Sequence, residues 1–297
     1  MKTAILILLM AMALSITACN NTPEAENPGD TTVATAAPVE STPPSGHTIV
    51  SIGPAITEIL VDIGLGQYLV GADTFSTLVA GVPAGIAEID MFAIDVETIL
   101  LLEPTHIFAT DMIAFAGDPL ALATEMGANV VYISTAATIA DIMDNIVYIA
   151  TQAGVTSVGE ALVSSTMAEI EAIRAMASGA TPTVYFEISP APDLFTLGEG
   201  TFLHEMIEIV GGINPFGAYG GWVSIADEQV LYRNPDIIFT NVGWMGDPVA
   251  EILTRPGWDA LDAVQNGRIY VINEDSTSRD NHRITIALRE MAEAIHN

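Results

Sequence analysis

A segment of about twenty residues that could form one uninterrupted helix separates two halves of this 297-residue chain. Between Glu160 and Ser178 the segment from Ser157 to Gly179 contains no glycine or proline. Apolar and small residues recur in it at intervals of four or three: Val158, Leu162, Thr166, Ile170, Ile173 and Ala177. This spacing predicts a helix with one mostly apolar face. At 1.5 Å per residue it would be roughly 30 Å long, about the width of a small domain. The segment therefore predicts a helical connection between two lobes.

The two halves share one short motif. The upstream copy is Glu97-Thr-Ile-Leu-Leu-Leu-Glu-Pro104-Thr-His-Ile-Phe108, and the downstream copy is Glu228-Gln-Val-Leu-Tyr-Arg-Asn-Pro235-Asp-Ile-Ile-Phe239. Each copy begins with an acid, continues as a short helix, stops at a proline and ends in an apolar strand. We therefore expect one helix-strand unit to be used once in each half.

The N-terminus has the pattern of an export signal. Lys2 precedes an apolar run from Ala4 to Ile16, and small residues lead to Cys19. This resembles a bacterial lipoprotein signal, which implies that residues 1–18 are removed and that Cys19 is lipidated. An ordinary secretory signal with an incidental cysteine is the alternative. Cys19 is the only cysteine, so no disulfide can form within the mature chain. Residues 19–46 are rich in Thr, Pro, Ala, Glu and Ser and predict a flexible tether.

The composition supports two apolar cores and a strongly acidic surface. Half of the residues are hydrophobic, and 8 Lys and Arg stand against 37 Asp and Glu, for a formal net charge of −29. Such a surface repels nucleic acid and anionic lipid headgroups and disfavours a polyanionic ligand unless local arginines collect it. Adaptation to salt or general solubility is the favoured explanation of this charge, and a preference for cationic ligands is the alternative.

Short apolar strands alternate with helical patterns in both halves. The strands include residues 129–133 and 237–240, and the helices include residues 139–152, 227–233 and a long closing helix over 279–296. This alternation predicts an α/β fold with mainly parallel sheets, whose ligand-facing edge is formed by the loops after the strands. We expect an N-terminal lobe over residues 47–155, a connecting helix over 156–179 and a C-terminal lobe over 180–297. Two Rossmann-like lobes joined by a single long α-helix would leave a ligand cleft between them.

The order of motifs resembles one family, the helical-backbone (class III) substrate-binding proteins of ABC transporters, which bind cobalamin, iron-siderophore complexes or haem. The matching stretches cover the chain after the tether: Ile49-Val-Ser-Ile-Gly-Pro-Ala-Ile-Thr-Glu-Ile-Leu60, Val70-Gly71, Asp95-Val-Glu97-Thr-Ile-Leu with Glu103-Pro104, Glu228-Gln-Val-Leu with Asn234-Pro235-Asp236, and Pro256-Gly-Trp258-Asp-Ala-Leu with Gly267-Arg-Ile-Tyr-Val-Ile272. The resemblance lies in the ordered set, since no single motif is diagnostic.

The resemblance implies that one acid on each lobe docks onto arginines of the membrane permease. Carried over by position, these acids are Glu97 and Glu228. Carboxylate-guanidinium hydrogen bonds give orientation as well as attraction, so two of them would fix both lobes over the pore. The alternative is that each acid only stabilises the first turn of its helix.

The resemblance also implies the residues of the ligand cleft. Aromatic faces suit a flat macrocycle because they bury large areas with little loss of rotamer entropy. Met91 stands where the cobalamin-binding members carry tryptophan, and Thr110 stands where an aromatic residue is expected. Trp258 falls in the family's packing motif and is expected to be structural. The candidate ligand-binding residues are Phe75 in the loop 73–76, Met91, Phe92, Tyr219, Trp222, Trp244 and Arg279.

The sequence thus predicts an exported, lipid-anchored, monomeric binding protein that faces the periplasm or the cell exterior. It would capture cobalamin or another corrinoid, a ferric siderophore or haem, and deliver it to an ABC permease dimer driven by a separate ATPase. A corrinoid is favoured because the mature chain has no lysine and few arginines for an anionic chelate. We expect no catalytic residues, no bound cofactor beyond this ligand, and no resident metal.

Two alternative functions, a receptor for bare metal ions and a surface-anchored hydrolase, belong to other classes of protein. His204-Glu-Met-Ile-Glu208 resembles a zinc-protease helix, but that motif needs histidine at its fifth position. A receptor for bare zinc or manganese would require several His and carboxylate ligands, such as His106 and His204, in the cleft. A surface-anchored hydrolase would require a nucleophile and base, and the sequence shows no such pair.

Overall fold

The computed structural model describes residues 46–296 except residues 116, 178 and 180. The expected signal peptide, the lipidation site at Cys19 and nearly all of the tether lie outside these residues. The first lobe is built on a parallel sheet with the strand order β3-β2-β1-β4-β5. Its strands are β1 (Ile49–Ile52), β2 (Leu69–Asp73), β3 (Ala87–Ile89), β4 (His106–Thr110) and β5 (Asn129–Ile133).

Helices cover both faces of this sheet, which explains why all four residues of the central strand β1 are buried. Thr138 starts α4 (Ile139–Gln152) with a capping box, since its hydroxyl accepts from the amide of Asp141 at 3.1 Å and its own amide donates back to the Asp141 carboxylate at 2.8 Å. The helices up to the middle of the chain are α1 (Pro54–Asp62), α2 (Val96–Leu100), α3 (Ala121–Glu125), α4 (Ile139–Gln152) and α5 (Thr156–Arg174).

The second lobe has a smaller parallel sheet and a separate antiparallel pair of strands. The parallel sheet has the order β10-β9-β6, and the pair is β7-β8. The strands are β6 (Val184–Glu187), β7 (Phe195–Leu197), β8 (Trp222–Ser224), β9 (Ile237–Thr240) and β10 (Ile269–Val271). The helices are α6 (Phe202–Ile209), α7 (Asp227–Arg233), α8 (Pro248–Ile252), α9 (Asp262–Gln265), α10 (Glu274–Ser278) and α11 (Ile284–His296).

Helix α5 joins the lobes and packs against helices of both. Gly159 lets it approach α4, because a Cβ at this position would lie 2.4 Å from the Cβ of Ala150. On its other side α5 packs against α6 and α11, and Arg289 of α11 binds Glu169 at 2.7 Å. The helix ends at Arg174, five residues before the expected end at Gly179. The chain must turn there to enter β6. The structure thus confirms two α/β lobes joined by one long helix.

The repeated motif is present in both lobes with the same backbone. Glu97 and Glu228 are each the second residue of a short helix, α2 and α7. Six residues after each acid, Glu103 (φ 48°) and Asn234 (φ 44°) adopt the left-handed conformation directly before a proline. Among the described residues they are the two non-glycine positions with positive φ. In the second copy Asn234 is the residue that ends α7, whereas α2 already ends at Leu100 and Glu103 lies in the turn beyond it. In both copies the chain then enters an interior strand of its sheet, β4 or β9.

The C-terminal segment differs from the expected single helix over residues 279–296. Asn273 starts the short helix α10 by accepting from the amide of Ser276 at 2.9 Å. The chain then leaves the helical path, and α11 begins at Ile284. This break has a physical cause, because Arg279, Asn281 and Arg283 turn across the lobe boundary to bind Glu58 of α1.

One continuous apolar cluster runs through both lobes. It contains Ile49 and Phe108 of the first sheet, Ile170 of α5, and Phe186 and Phe239 of the second sheet. Separating the lobes widely would expose this cluster to water, so the fold favours small relative movements of the lobes. Within the described part of the chain, no helix has the length and apolarity needed to span a membrane.

Candidate ligand cleft

Two adjoining cavities of about 370 and 350 Å³ lie between the lobes. Each is as large as an ordinary small-molecule site. The first is lined mainly by loops that follow the strands of the N-terminal sheet, together with residues of α10 and its C-terminal end. The second lies between residues 135–137 and the start of α6, beside Trp222 and Asn241. Thr135, Ser278 and Asp280 line both cavities, so the two form one cleft.

Four of the expected ligand-binding residues line this cleft. Phe75, Met91 and Arg279 contribute to the first cavity, and Trp222 contributes to the second. Phe92 lies at the rim, 84% exposed, with its ring edge-on to Phe75 at 6.4 Å between centroids. The structure therefore brings an aromatic residue from each lobe to the same cleft.

The side chains of Phe75 and Trp222 are partly free to meet a ligand. Phe75 is 51% exposed and Trp222 is 53% exposed, although large aromatic side chains usually bury most of their surface. Trp222 packs edge-on against Phe202 at 6.4 Å between ring centroids, which fixes its orientation at the cavity wall. These two rings are the best placed of the candidates to contact an apolar ligand.

Tyr219 and Trp244 do not line either cavity. The hydroxyl of Tyr219 accepts from Arg233 at 3.0 Å, and the Arg233 guanidinium lies 5.3 Å from the centre of the Tyr219 ring. Trp244 lies in a turn of 3₁₀ helix after β9 and is 68% exposed. It stands three residues after Asn241, which does line the second cavity.

Arg279 reaches the cleft but its charge is already paired. Its guanidinium binds Glu58 of the first lobe and, at 2.6 Å, Asp275 of α10. Glu58 is only 3% exposed, and its second oxygen accepts from the side-chain amide of Asn281 at 2.5 Å. Arg279 therefore bridges the lobes, a role that its place in the sequence does not indicate.

Asp73, the last residue of β2, holds the loop that carries Phe75. Its buried carboxylate accepts hydrogen bonds from the amides of Gly53 at 2.7 Å, Phe75 at 3.0 Å and Ser76 at 3.1 Å. Gly53 adopts φ 135°, which other residues rarely reach, and it forms the turn from β1 into α1. One carboxylate thus joins two loops at the carboxyl edge of the sheet and fixes the base of the aromatic side chain.

Asp280 lies where the two cavities meet. Its carboxylate accepts from the amide of Ala136 in the first lobe at 2.6 Å. Burial raises the pKa of this carboxyl, and nearby Asp111 acts in the same direction, against the lowering effect of the Ala136 amide. An additional negative charge beside Asp280 would therefore be unfavourable.

Several cleft residues were absent from the expected set. Thr110 ends β4 and Met112 follows it, Ser134 and Thr135 follow β5, and Asn241 follows β9. All of them lie at or just beyond the carboxyl ends of parallel strands, where open α/β sheets bind ligands. A position directly after a parallel strand is the sequence signal that could have identified these residues. The candidate ligand-binding residues were chosen mainly for their aromatic side chains instead.

The histidines lie apart from the cleft wall. Nδ1 of His204 lies 3.2 Å from Nδ2 of Asn214, and its Nε2 lies 3.4 Å from Glu208. His106 is half-buried beside His47, and burial together with the charge of His47 lowers its pKa. The described residues contain no group of three or more His, Cys, Asp or Glu that could hold a metal ion.

Glu97 and Glu228 are both exposed at the start of their helices. Asp95 caps α2 by accepting from the amides of Glu97 and Thr98 at 3.1 and 3.3 Å, so a carboxylate already serves the helix start there. In the second copy, Asp227 accepts from the indole of the fully buried Trp258 at 3.1 Å. In both copies a neighbouring acid has the structural role, and the carboxylates of Glu97 and Glu228 make no hydrogen bond within the described residues.

Comparison with known proteins agrees with this architecture. Residues 49–276 match the model of the family described as periplasmic binding protein. An uncharacterised ABC transporter substrate-binding lipoprotein of Bacillus subtilis is 27% identical over 253 residues, which cover 84% of this chain and 79% of the relative. A vitamin B12-binding protein of Vibrio cholerae is 29% identical over 253 residues, covering 82% of this chain and 87% of the relative.

A solved structure supports the same assignment. The crystal structure of a possible iron-binding (periplasmic solute-binding) protein from Staphylococcus epidermidis superposes with a TM-score of 0.77 at 29% identity, covering 84% of this chain and 99% of the other. The matching family consists of transport-related binding proteins rather than enzymes. The chain belongs to the periplasmic binding protein family and is a substrate-binding protein of an ABC transporter.

Proposed function

We propose that this protein captures cobalamin or another corrinoid in the cleft between its lobes. The observation that carries the proposal is the pair of adjoining cavities with Phe75 on one lobe and Trp222 on the other. Aromatic rings that come from both lobes suit a broad, flat ligand, because apolar parts of such a ligand can be buried against each of them. The vitamin B12-binding relative from Vibrio cholerae supports this ligand class.

The polar groups of the cleft favour a corrinoid over haem or a ferric siderophore. Haem iron is commonly bound by His, Cys, Met or Tyr side chains. Among the described residues that line the two cavities there is no histidine or tyrosine, although Met91 and Met112 are present. Cyanocobalamin fills both axial positions of its cobalt with its own benzimidazole and with cyanide, so it needs no axial ligand from the protein. Ferric siderophore complexes are often anionic, and the cleft offers Arg279 alone, already paired.

A ligand panel tests this proposal. Cyanocobalamin is expected to raise the melting temperature and to quench tryptophan fluorescence, whereas haemin, ferric siderophores, zinc and manganese should have much smaller effects. Trp222→Ala should raise the Kd for cyanocobalamin by about tenfold to a hundredfold, since it removes the burial of one large side chain. Trp222→Phe should recover part of this loss. Tyr148→Ala, at an exposed position of α4 outside both cavities, is the matched control.

Each alternative gives a different result in the same panel. A shift with haemin or a ferric chelate, and none with cyanocobalamin, would replace the corrinoid by that ligand. Stabilisation by zinc or manganese chloride alone would favour a metal-ion receptor. Absence of any shift with any of these compounds would contradict capture of a metal chelate. We propose that the protein carries out no catalysis, because binding and release require no bond to be broken.

We further propose that Glu97 and Glu228 dock the two lobes onto a permease dimer that a separate ATPase drives. Both acids are exposed at the same position of equivalent helices, and both are free of structural hydrogen bonds in the described part of the chain. Glu97→Arg and Glu228→Arg should each weaken binding to the reconstituted permease by about tenfold or more, since each exchanges attraction for repulsion.

The control for docking separates partner binding from ligand binding. Glu125→Arg reverses an exposed acid at the end of α3 and should leave permease binding almost unchanged. All three variants should bind ligand as the unaltered protein does. Normal permease binding by the double variant Glu97→Arg, Glu228→Arg would contradict the docking role.

We also propose that the protein is a monomer held at the membrane by lipid on Cys19, after removal of residues 1–18, and that it faces the periplasm or cell exterior. The relative from Bacillus subtilis is itself named a lipoprotein, and the family is extracytoplasmic. Partition of the mature protein between detergent and aqueous phases, compared with a Cys19→Ala form, tests the anchor.

A further inference from the structure

The charged side chains on the cleft wall are mostly acidic. The four that line the two cavities are Glu274, Asp275, Arg279 and Asp280. The guanidinium of Arg279 binds Glu58 and Asp275, so its positive charge is shared between two carboxylates before any ligand arrives. Glu274 and Asp280 are left without an arginine partner among the described residues.

No other arginine is available to offset these acids. All seven arginines of the chain lie in the described part, and each already binds a carboxylate or a backbone carbonyl. Arg233 binds the carbonyl of Pro215, and Arg268 binds the carbonyls of Ala294 and Ile295. The sole lysine, Lys2, lies in the expected signal peptide. A ligand carboxylate that enters the cleft would therefore meet acids without a free cation.

Among the three acids of the cleft wall, Asp280 lies at the junction of the two cavities. It lines both cavities, and its carboxylate is held in place by the amide of Ala136 from the opposite lobe. Thr135 and Ser278, which share the junction with it, offer hydroxyl groups that bind amides and carboxylates alike. The discrimination between these two ligand groups must therefore come from charge.

We propose that Asp280 makes the cleft select by charge, so that it accepts a macrocycle with amide side chains and rejects the same macrocycle with carboxylate side chains. This inference rests on the proposed capture of a metal chelate and adds the peripheral chemistry of that ligand. The Asp280 carboxylate accepts hydrogen bonds from ligand amide N–H groups. It repels a ligand carboxylate at the same place, and the partly desolvated setting strengthens the repulsion.

Matched corrinoids test the proposal at pH 8. Cyanocobalamin is compared by calorimetry with its monocarboxylic acids, in which one peripheral amide is replaced by a carboxylate. The unaltered protein should bind at least one of these acids about tenfold to a hundredfold more weakly than cyanocobalamin. Asp280→Asn keeps an oxygen that can accept from Ala136, and it should reduce this difference to about threefold or less. Asp259→Asn, at an exposed acid outside both cavities, should retain the full difference.

Each outcome bears on the proposal. Equal binding of cyanocobalamin and all of its carboxylates by the unaltered protein would overturn it. A difference that Asp280→Asn leaves unchanged would overturn the role of Asp280. Tight binding of haemin, with its two propionates, would overturn selection by charge while leaving metal-chelate capture in place. If no chelate binds, the proposed function itself fails and this inference fails with it. A thermal melt of each variant confirms that the fold is retained.

Discussion

Replacing Arg255 by methionine is expected to lower the free energy of unfolding by about 3 to 5 kcal/mol, because it leaves a buried carboxylate without its cation. Arg255 is 6% exposed, and its two terminal nitrogens bind both oxygens of the fully buried Glu187 at 2.6 and 3.0 Å. It also binds Glu251 and lies 4.4 Å from the centre of the Trp258 ring. Urea unfolding followed by circular dichroism measures the change.

Two further variants separate the ion pair from the loss of packing. The double variant Arg255→Met, Glu187→Met should recover most of the stability, since it removes the unpaired carboxylate and fills the space with apolar groups. Arg289→Met, which breaks an exposed pair with Glu169, should change stability by less than about 1 kcal/mol. Equal losses for Arg255→Met and Arg289→Met would contradict the importance of the buried pair.

The Arg255→Met protein should also depend on pH in a defined direction. Burial raises the pKa of Glu187, and the hydrogen bonds from Arg255 oppose this rise in the unaltered protein. Without Arg255 the folded-state pKa should rise further above that of the unfolded chain. A carboxyl with a raised folded-state pKa loses stability as the pH increases through that pKa. The stability deficit of the variant should therefore shrink as the pH is lowered from 7 towards 5.

The second large effect is expected at the boundary between the lobes. Glu58→Leu should lower the free energy of unfolding by about 2 to 4 kcal/mol, somewhat less than the loss expected from a fully buried pair, because its partners are partly exposed. Glu58 of α1 binds Arg279, Asn281 and Arg283, all from the second lobe. Its removal leaves these donors facing an apolar side chain. Hydrogen exchange should show faster opening of α1 and of the connection before α11.

A graded series tests this boundary further. Glu58→Gln keeps one acceptor oxygen and replaces the other with an amide nitrogen, so it should lose less stability than Glu58→Leu. The neighbouring contact of Asp62 with the side chains of His282 and Arg283 should weaken in acid. Burial raises the pKa of Asp62, but hydrogen bonds from His282 and Arg283 outweigh this and lower it overall. Because its folded-state pKa is lower than that of the unfolded chain, the ionised Asp62 carboxylate stabilises the fold at pH values above the unfolded-state pKa. This stabilisation is lost as the pH falls through the folded-state pKa. Unchanged exchange rates in Glu58→Leu would show that α5 and the shared core hold the lobes alone.

Elements with strong local signals could be predicted from the sequence. The bounds of β5, α4, α7 and β9 agree with expectation, because capping residues, prolines or continuous apolar runs mark their ends. The strands β3, β7 and β8 were missed. Each has three residues, and its pairing depends on a partner strand rather than on its own pattern.

The cleft was predictable in its chemistry but only partly in its residues. Aromatic residues at Phe75 and Trp222 were expected and do line the cavities. The pairing of the Arg279 guanidinium could not be predicted, because its partner Glu58 lies 221 residues away in the sequence. Asp280 was missed for the same reason, since its place at the junction depends on how the second lobe meets Ala136. Contacts between lobes determine which charges remain free, and no local pattern reports them.

The repeated helix-strand unit has a consequence for recognition by a partner. Glu97 and Glu228 occupy the same position of equivalent helices, and the same left-handed turn follows each of them. A partner made of two identical subunits would meet the same local chemistry at both contacts, so these acids alone cannot tell it which lobe faces which subunit. Orientation must then come from what the lobes do not share: a five-stranded sheet on one side, and on the other a three-stranded sheet with the β7-β8 ribbon that carries Trp222.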